Sequence, residues 1–257
     1  MEALALVTEA SIDVAALILL LVFLLFFLVF TVRAKSGASF GLRPIAVYTR
    51  LQQLISQATE SGRPIHVGMG SGQIGGPFTT EALMGLTVFD LVARHAAASD
   101  SPVLGSTGDP TILATGQGVL QVARREAGYA ESYTGRDLGF YAPDAMAYGV
   151  GAEQDLRRRN YLASILLGRY GTEGLWISES TGTQPMVQLG GTVDPTALAL
   201  LQFSLDDTVI GEEIYAAGAY LHRPSHLGSL ATQDIVRIVL ILSIIAGVIM
   251  ISLGYWR

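Results

Sequence analysis

The sequence predicts an α/β domain with a doubly wound, mostly parallel sheet of about six strands, flanked by transmembrane helices at both ends. Three observations predict it. An apolar run stands near each end of the chain, and short apolar strands alternate with amphipathic helices between the runs. Two of those helices share one start signal, Asp109-Pro110-Thr111 and Asp194-Pro195-Thr196. In it a capping Asp precedes a proline at the first helical position, where the missing N–H costs nothing.

The first run, residues 14–32, follows an acidic tail over 1–13 that carries Glu2, Glu9 and Asp13. At about 1.5 Å per residue it covers the roughly 30 Å hydrocarbon core of a bilayer. A signal peptide would carry a positive leading segment and a shorter apolar stretch; here Arg33 and Lys35 follow the run directly, which predicts an uncleaved anchor. The second span, 237–256, contains the charge-free stretch Ile238–Tyr255 and closes on Tyr255 and Trp256, residues that favour the membrane–water interface. Ser243 and Gly247 stand four apart and Gly254 follows; such small residues let membrane helices approach closely, so these three are the candidate helix-packing positions. Positive residues gather after the first span, at Arg33, Lys35, Arg43 and Arg50. The positive-inside rule then predicts a cytoplasmic middle and both termini outside.

Between the spans, residues 33–60 read as a juxtamembrane linker and helix, 61–222 as the α/β domain and 223–236 as a polar return loop. Helix 45–59 leads into strand 64–70, helix 79–97, strand 102–107, helix 110–127, strand 137–141 and helix 144–158. Strand 163–168, helix 172–180, strand 184–189, helix 195–203, strand 208–210 and helix 212–221 complete the alternation. Repeated strand–helix units favour a parallel sheet, because right-handed crossovers lay helices on both faces.

Composition excludes several chemistries. The net charge of −6 argues against a nucleic-acid partner. With no cysteine there is no disulfide, zinc–thiolate site or thiol nucleophile, and with Lys35 as the only lysine the domain has no P-loop or Schiff-base lysine. No catalytic triad and no metal cluster is legible. His222 and His226 stand four apart but are separated by Pro224, and read as loop residues. Gly37-Ala38-Ser39-Phe40-Gly41 has the spacing of a nucleophile elbow but lies in the linker, away from the strand–helix turn such an elbow needs. Arg157, Arg158 and Arg159 read as a solvated helix end, and Glu212 and Glu213 as acids favoured at a helix start.

One motif carries a sharper suggestion. Gly70, Gly72 and Gly75 follow the first strand with the G-x-G-x-x-G spacing of a dinucleotide site, in which backbone N–H groups face a pyrophosphate. Pro77 intervenes before the helix, and no acidic residue ends the second strand. Ser106 and Thr107 join these glycines as candidate cofactor-binding residues, because Gly105–Gly108, Ser178–Gly182 and Gly190–Thr192 read as hydroxyl-rich loops converging at the carboxyl edge of the sheet.

The Gly-rich loop after His66-Val67, the segments Ile165-Leu166-Leu167-Gly168, Gln188-Leu189-Gly190-Gly191-Thr192 and Val209-Ile210-Gly211-Glu212-Glu213, and the two spans resemble a family of uncharacterised bacterial two-span membrane proteins. That resemblance implies a Rossmann-like α/β domain of unknown function in a bacterial inner membrane, and implies no activity. Two functions follow as expectations. The first is a non-catalytic assembly module, with lipid and either further copies or other membrane-complex subunits as partners. The alternative is a nucleotide- or small-anion-binding enzyme or sensor using the Gly-rich loop. Transport finds no pathway in two spans without intramembrane charge unless many copies assemble.

Overall fold

A computed structural model describes residues 2–36, 44–98, 103–132, 135–220 and 224–252. Residues 43–221 form one compact unit, and the two ends of the chain form another.

In the central unit α2 (Ala46–Ser61) precedes β1 (Ile65–Gly70), α3 (Thr79–Ala98), β2 (Val103–Thr107), α4 (Pro110–Glu126), β3 (Leu138–Phe140) and α5 (Ala145–Arg158). Then come β4 (Ala163–Arg169), α6 (Thr172–Thr181), β5 (Val187–Thr192), α7 (Pro195–Ser204) and β6 (Asp207–Ile210). A 3₁₀ turn, Gly211–Ala216, and the short α8 (Ala217–Tyr220) close the unit. All six strands are parallel, in the order β3-β2-β1-β4-β5-β6. The expected doubly wound sheet is therefore present, and the chain reverses its direction of travel across it between β1 and β4. Such a switch point leaves a crevice at the carboxyl ends of those two strands.

The helix starts follow the sequence. Asp109 Oδ1 accepts from the N–H groups of Thr111 and Ile112, and Asp194 Oδ1 from those of Thr196 and Ala197, each ahead of a first-position proline. The central strands β1 and β4 are buried on both sides, as a parallel sheet covered by helices requires. Ile65, Val67 and Met69 of β1 alternate with His66, Gly68 and Gly70. α3 lies against the Met69 side at Gly85, where an added Cβ would come within 2.5 Å of the Leu167 carbonyl oxygen. On the Gly68 side stand Tyr148 of α5 and Tyr170, in a core that continues through Leu156, Leu166, Ile177 and Leu201.

Three expectations are corrected. β5 starts at Val187, three residues later than predicted, because Pro185 has no N–H for the ladder; it then runs through Gly190-Gly191-Thr192, which is strand and not loop. The predicted helix 212–221 divides into the 3₁₀ turn and α8. The buried Tyr48 hydroxyl donates to the carbonyls of Glu213 at 2.9 Å and Ile214 at 3.3 Å, acceptors that a regular α-helix would use internally. The predicted return loop is helical from Pro224 onward, with proline at the helix start.

In the other unit α1 (Glu2–Lys35) takes in the predicted tail as well as the first span, and α9 (Pro224–Ser252) takes in most of the second. Both are long and apolar enough to cross a membrane, over Ala16–Lys35 and His226–Ser252.

Candidate functional site at the switch point

The Gly-rich loop sits where a doubly wound sheet offers its crevice, but the chain's own groups fill the space. Gly70 has φ +74°, a left-handed conformation open to glycine, and a Cβ there would stand 2.1 Å from the Arg169 carbonyl oxygen. That carbonyl accepts the Ser71 N–H at 3.0 Å, and the Gly70 carbonyl accepts the Gly108 N–H at 2.9 Å. The loop is thereby pinned to the ends of β4 and β2. Gly72 packs on the Arg169 side chain, whose guanidinium lies 4.2 Å from the centre of the Phe78 ring and pairs with Asp194 at 3.1 Å. Glu173, almost wholly buried, accepts the Gly171 N–H at 2.9 Å and the Ser71 hydroxyl at 3.3 Å. Its carboxylate thus stands beside the donors that a phosphate would need.

Two more acids mark the edge. Asp194 is held below the usual carboxylate range, first by the Ala197 N–H and further by Arg169. Glu81, in the first turn of α3, is pushed upward by burial against the opposing pull of Arg169, and its Oε2 is buried with no hydrogen-bond partner. Three carboxylates against one guanidinium give the crevice an acidic character that disfavours an anion.

Beneath the loop runs a buried polar chain. His66 Nδ1 lies 3.1 Å from Ser164 Oγ on β4, and Nε2 lies 2.9 Å from Ser106 Oγ on β2. Ser106 continues to the Tyr148 hydroxyl at 3.0 Å, and Tyr148 to Tyr170 at 3.2 Å. Gly68 makes room for this arrangement, since a Cβ there would meet the Tyr170 hydroxyl at 2.3 Å. Burial pushes the imidazole down to about 4, partly opposed by the charge of Asp155, and raises both tyrosines. A neutral imidazole donates through one nitrogen and accepts through the other, so the two serines satisfy it completely. All five side chains are solvent-inaccessible, and the chain holds strands and helix together rather than presenting a nucleophile.

A family model for a domain of unknown function, DUF6754, matches residues 8–256. The chain belongs to this family. The match spans both end helices and the α/β unit, so the DUF6754 domain comprises all three parts. No curated protein and no solved structure matches the chain.

Within this DUF6754 domain, the five residues selected as cofactor-binding do not face one space. Gly70 and Gly72 pack on Arg169, while Gly75, at φ +90°, has no neighbour near its missing Cβ. Ser106 faces His66 inside the core, and the Thr107 hydroxyl accepts the Asp109 N–H in a local turn. Ser178–Thr181 end α6, which starts at the carboxyl edge of β4, so they lie away from that edge. Of the helix-packing positions, Ser243 is exposed and donates to the Leu240 carbonyl, Gly247 has nothing within 4 Å of its missing Cβ, and Gly254 lies outside the described residues. The Gly37–Gly41 segment and His222 lie outside them as well; His226 is helical. Arg157 pairs with Glu153 and Arg159 with Asp155, each with an acid four residues earlier. Sequence reasoning missed His66, Tyr148, Arg169, Tyr170, Glu173 and Glu81. The available signal was Gly68 and Gly70 alternating with buried residues on β1, which announces a bulky neighbour on that face.

Proposed function

We propose that this chain is a membrane-anchored, non-catalytic assembly module that oligomerises or docks on a larger membrane complex. The observation that carries this reading is the closure of the crevice between β1 and β4: Arg169, Tyr170 and Glu173 occupy the place where a doubly wound sheet takes its ligand. The two apolar helices supply the anchor, and the basic residues after the first of them support a cytoplasmic α/β domain with both termini across a bacterial inner membrane. Mass measurement after extraction in mild detergent tests the proposal. An oligomer or a co-purifying subunit is expected, and a bare monomer would contradict it.

A second reading rests on one observation, the position of the Gly-rich loop at the switch point of a 3-2-1-4-5-6 sheet. That order is shared with Rossmann-type dinucleotide-binding domains. Here the loop would open to admit a nucleotide or small anion. Thermal-shift screening against nucleotides, with Gly72→Val as control, tests it; a ligand that stabilises the wild type and not the variant is the required result.

A further inference from the structure

Helices α5 and α6 lie side by side and run in the same direction, and their contacts fix their relative levels. The Thr172 hydroxyl donates to Met146 Sδ at 4.0 Å, near the start of both helices. A Cβ on Gly149 would stand 3.0 Å from Glu173 Cβ, and near the far end Arg157 donates to the Ser180 carbonyl at 2.6 Å. Trp176 therefore stands level with Val150 and the residue or two after it, and Glu179 level with residues 153–156.

The outer surface of this helix pair is apolar. An open groove of about 540 Å³ is lined there by Met146, Thr172, Leu175, Trp176, Glu179 and Ser180. Met146 is 47% exposed, Trp176 49%, and Val150, one turn after Met146, 39%. Water-facing sides of surface helices carry charged and polar residues, whereas Met and aromatic residues are enriched where proteins meet. Two charges beside the apolar strip are unspent. In the run Arg157-Arg158-Arg159 the outer two arginines pair with Glu153 and Asp155 of their own helix. Arg158 is exposed and has no acid beside it among the described residues, and Glu179 of α6 is exposed and has no base beside it.

We propose that this surface is a contact between two copies of this chain, α5 of each packed on α6 of the other. The order of the side chains selects the occupant. Along α5 the apolar Met146 and Val150 precede a base, Arg158; along α6 the apolar Leu175 and Trp176 precede an acid, Glu179. A twofold axis parallel to the helices lays each sequence on the other at one level, apolar on apolar and base on acid, and makes every contact twice. Arg158 lies at most five residues beyond the level of Glu179, about 7.5 Å along the axis, a gap that an arginine side chain spans. An unrelated subunit would have to supply both halves of this pattern, whereas a second copy carries them by construction. The inference rests on the assembly reading above and narrows it to a contact between identical chains.

Photocrosslinking of the full chain in native membranes tests it. Benzoylphenylalanine in place of Trp176 is expected to give an adduct of twice 27.3 kDa, with the cross-link on residues 145–158 of the second copy. The same probe in place of Val122, which is 44% exposed on α4, is expected to give none. With the probe at position 176, Arg158→Glu or Glu179→Arg alone is expected to cut the adduct several-fold, and the double exchange to restore it. Absence of the adduct, an equal yield from position 122, a product of another mass, a cross-link outside α5, or no restoration by the double exchange each overturns the contact. An oligomeric mass in detergent combined with any of these leaves the assembly reading standing and removes only this interface; a monomeric mass removes both.

Discussion

In the α/β domain His66 and the hydroxyls of Ser106, Ser164, Tyr148 and Tyr170 are wholly buried, and each finds its partner within the chain. In the helix pair Leu24, Leu25 and Leu28 of α1 and Ile241, Leu242 and Ile244 of α9 are about half exposed or more. The two regions thus meet their surroundings in opposite ways. Inward-facing polar side chains that satisfy one another specify one packing and complete a fold. Outward-facing apolar side chains on helices long enough to span a membrane need lipid or a protein partner to cover them. The difference teaches where the molecule is finished and where it is not.

The largest expected effect tests the pinned loop. Gly70→Ala forces a Cβ into the Arg169 carbonyl at a positive φ and should cost about 3 kcal/mol or more, against about 1 kcal/mol for Gly75→Ala, which meets nothing. Urea unfolding in a Trp256→Phe background, followed through Trp176 fluorescence, measures both. Equal costs would mean that Gly70 is not clamped, and the crevice would be open after all.

Next comes pH. Burial holds His66 at about 4 in the folded chain against 6.5 ordinarily, so the unfolded chain takes up its proton first. Stability should therefore fall as pH drops from 6.5 to 4, by about 3 kcal/mol from this group, and His66→Asn should flatten that slope. A wild-type profile no steeper than the variant's would break the inward half of the comparison.

Ser106→Ala removes a partner from both His66 and Tyr148 and should cost about 2 kcal/mol. Combined with Tyr170→Phe it should fall short of the sum of the single losses, because both act on one chain of hydrogen bonds. Strict additivity would show the groups to be independent. Asp109→Ala should cost about 1 kcal/mol through the lost helix cap and leave the polar chain intact. Smallest of all, Gly228→Leu, against Thr31, should wedge α9 from α1 with no shift in the urea midpoint of the domain; a shift would show that the two units are energetically coupled.

Much of this architecture was legible in the sequence. Period-two and period-3.6 patterns located the six strands and the helices between them, and the Asp-Pro pairs fixed two helix starts. Gly190-Gly191 misled, because glycine signals a turn by its freedom and equally serves a strand by its small size; here a Cβ at Gly190 would stand 2.5 Å from the Leu166 carbonyl oxygen. The polar chain was not legible, since its members lie 40, 98 and 42 residues apart and meet only when the sheet forms. The Gly-rich segment was legible as lying directly after the first strand. Its contents were not, because Arg169 and Glu173 arrive from the far side of the switch point.

The central claim is that this chain functions as part of an assembly. Native-membrane nanodiscs, excised by polymer from cells making the full chain at low level, allow the protein mass per disc to be weighed directly. The account predicts discs holding at least two 27.3 kDa chains, or one chain with a constant companion. Discs holding a single chain and nothing else would contradict it.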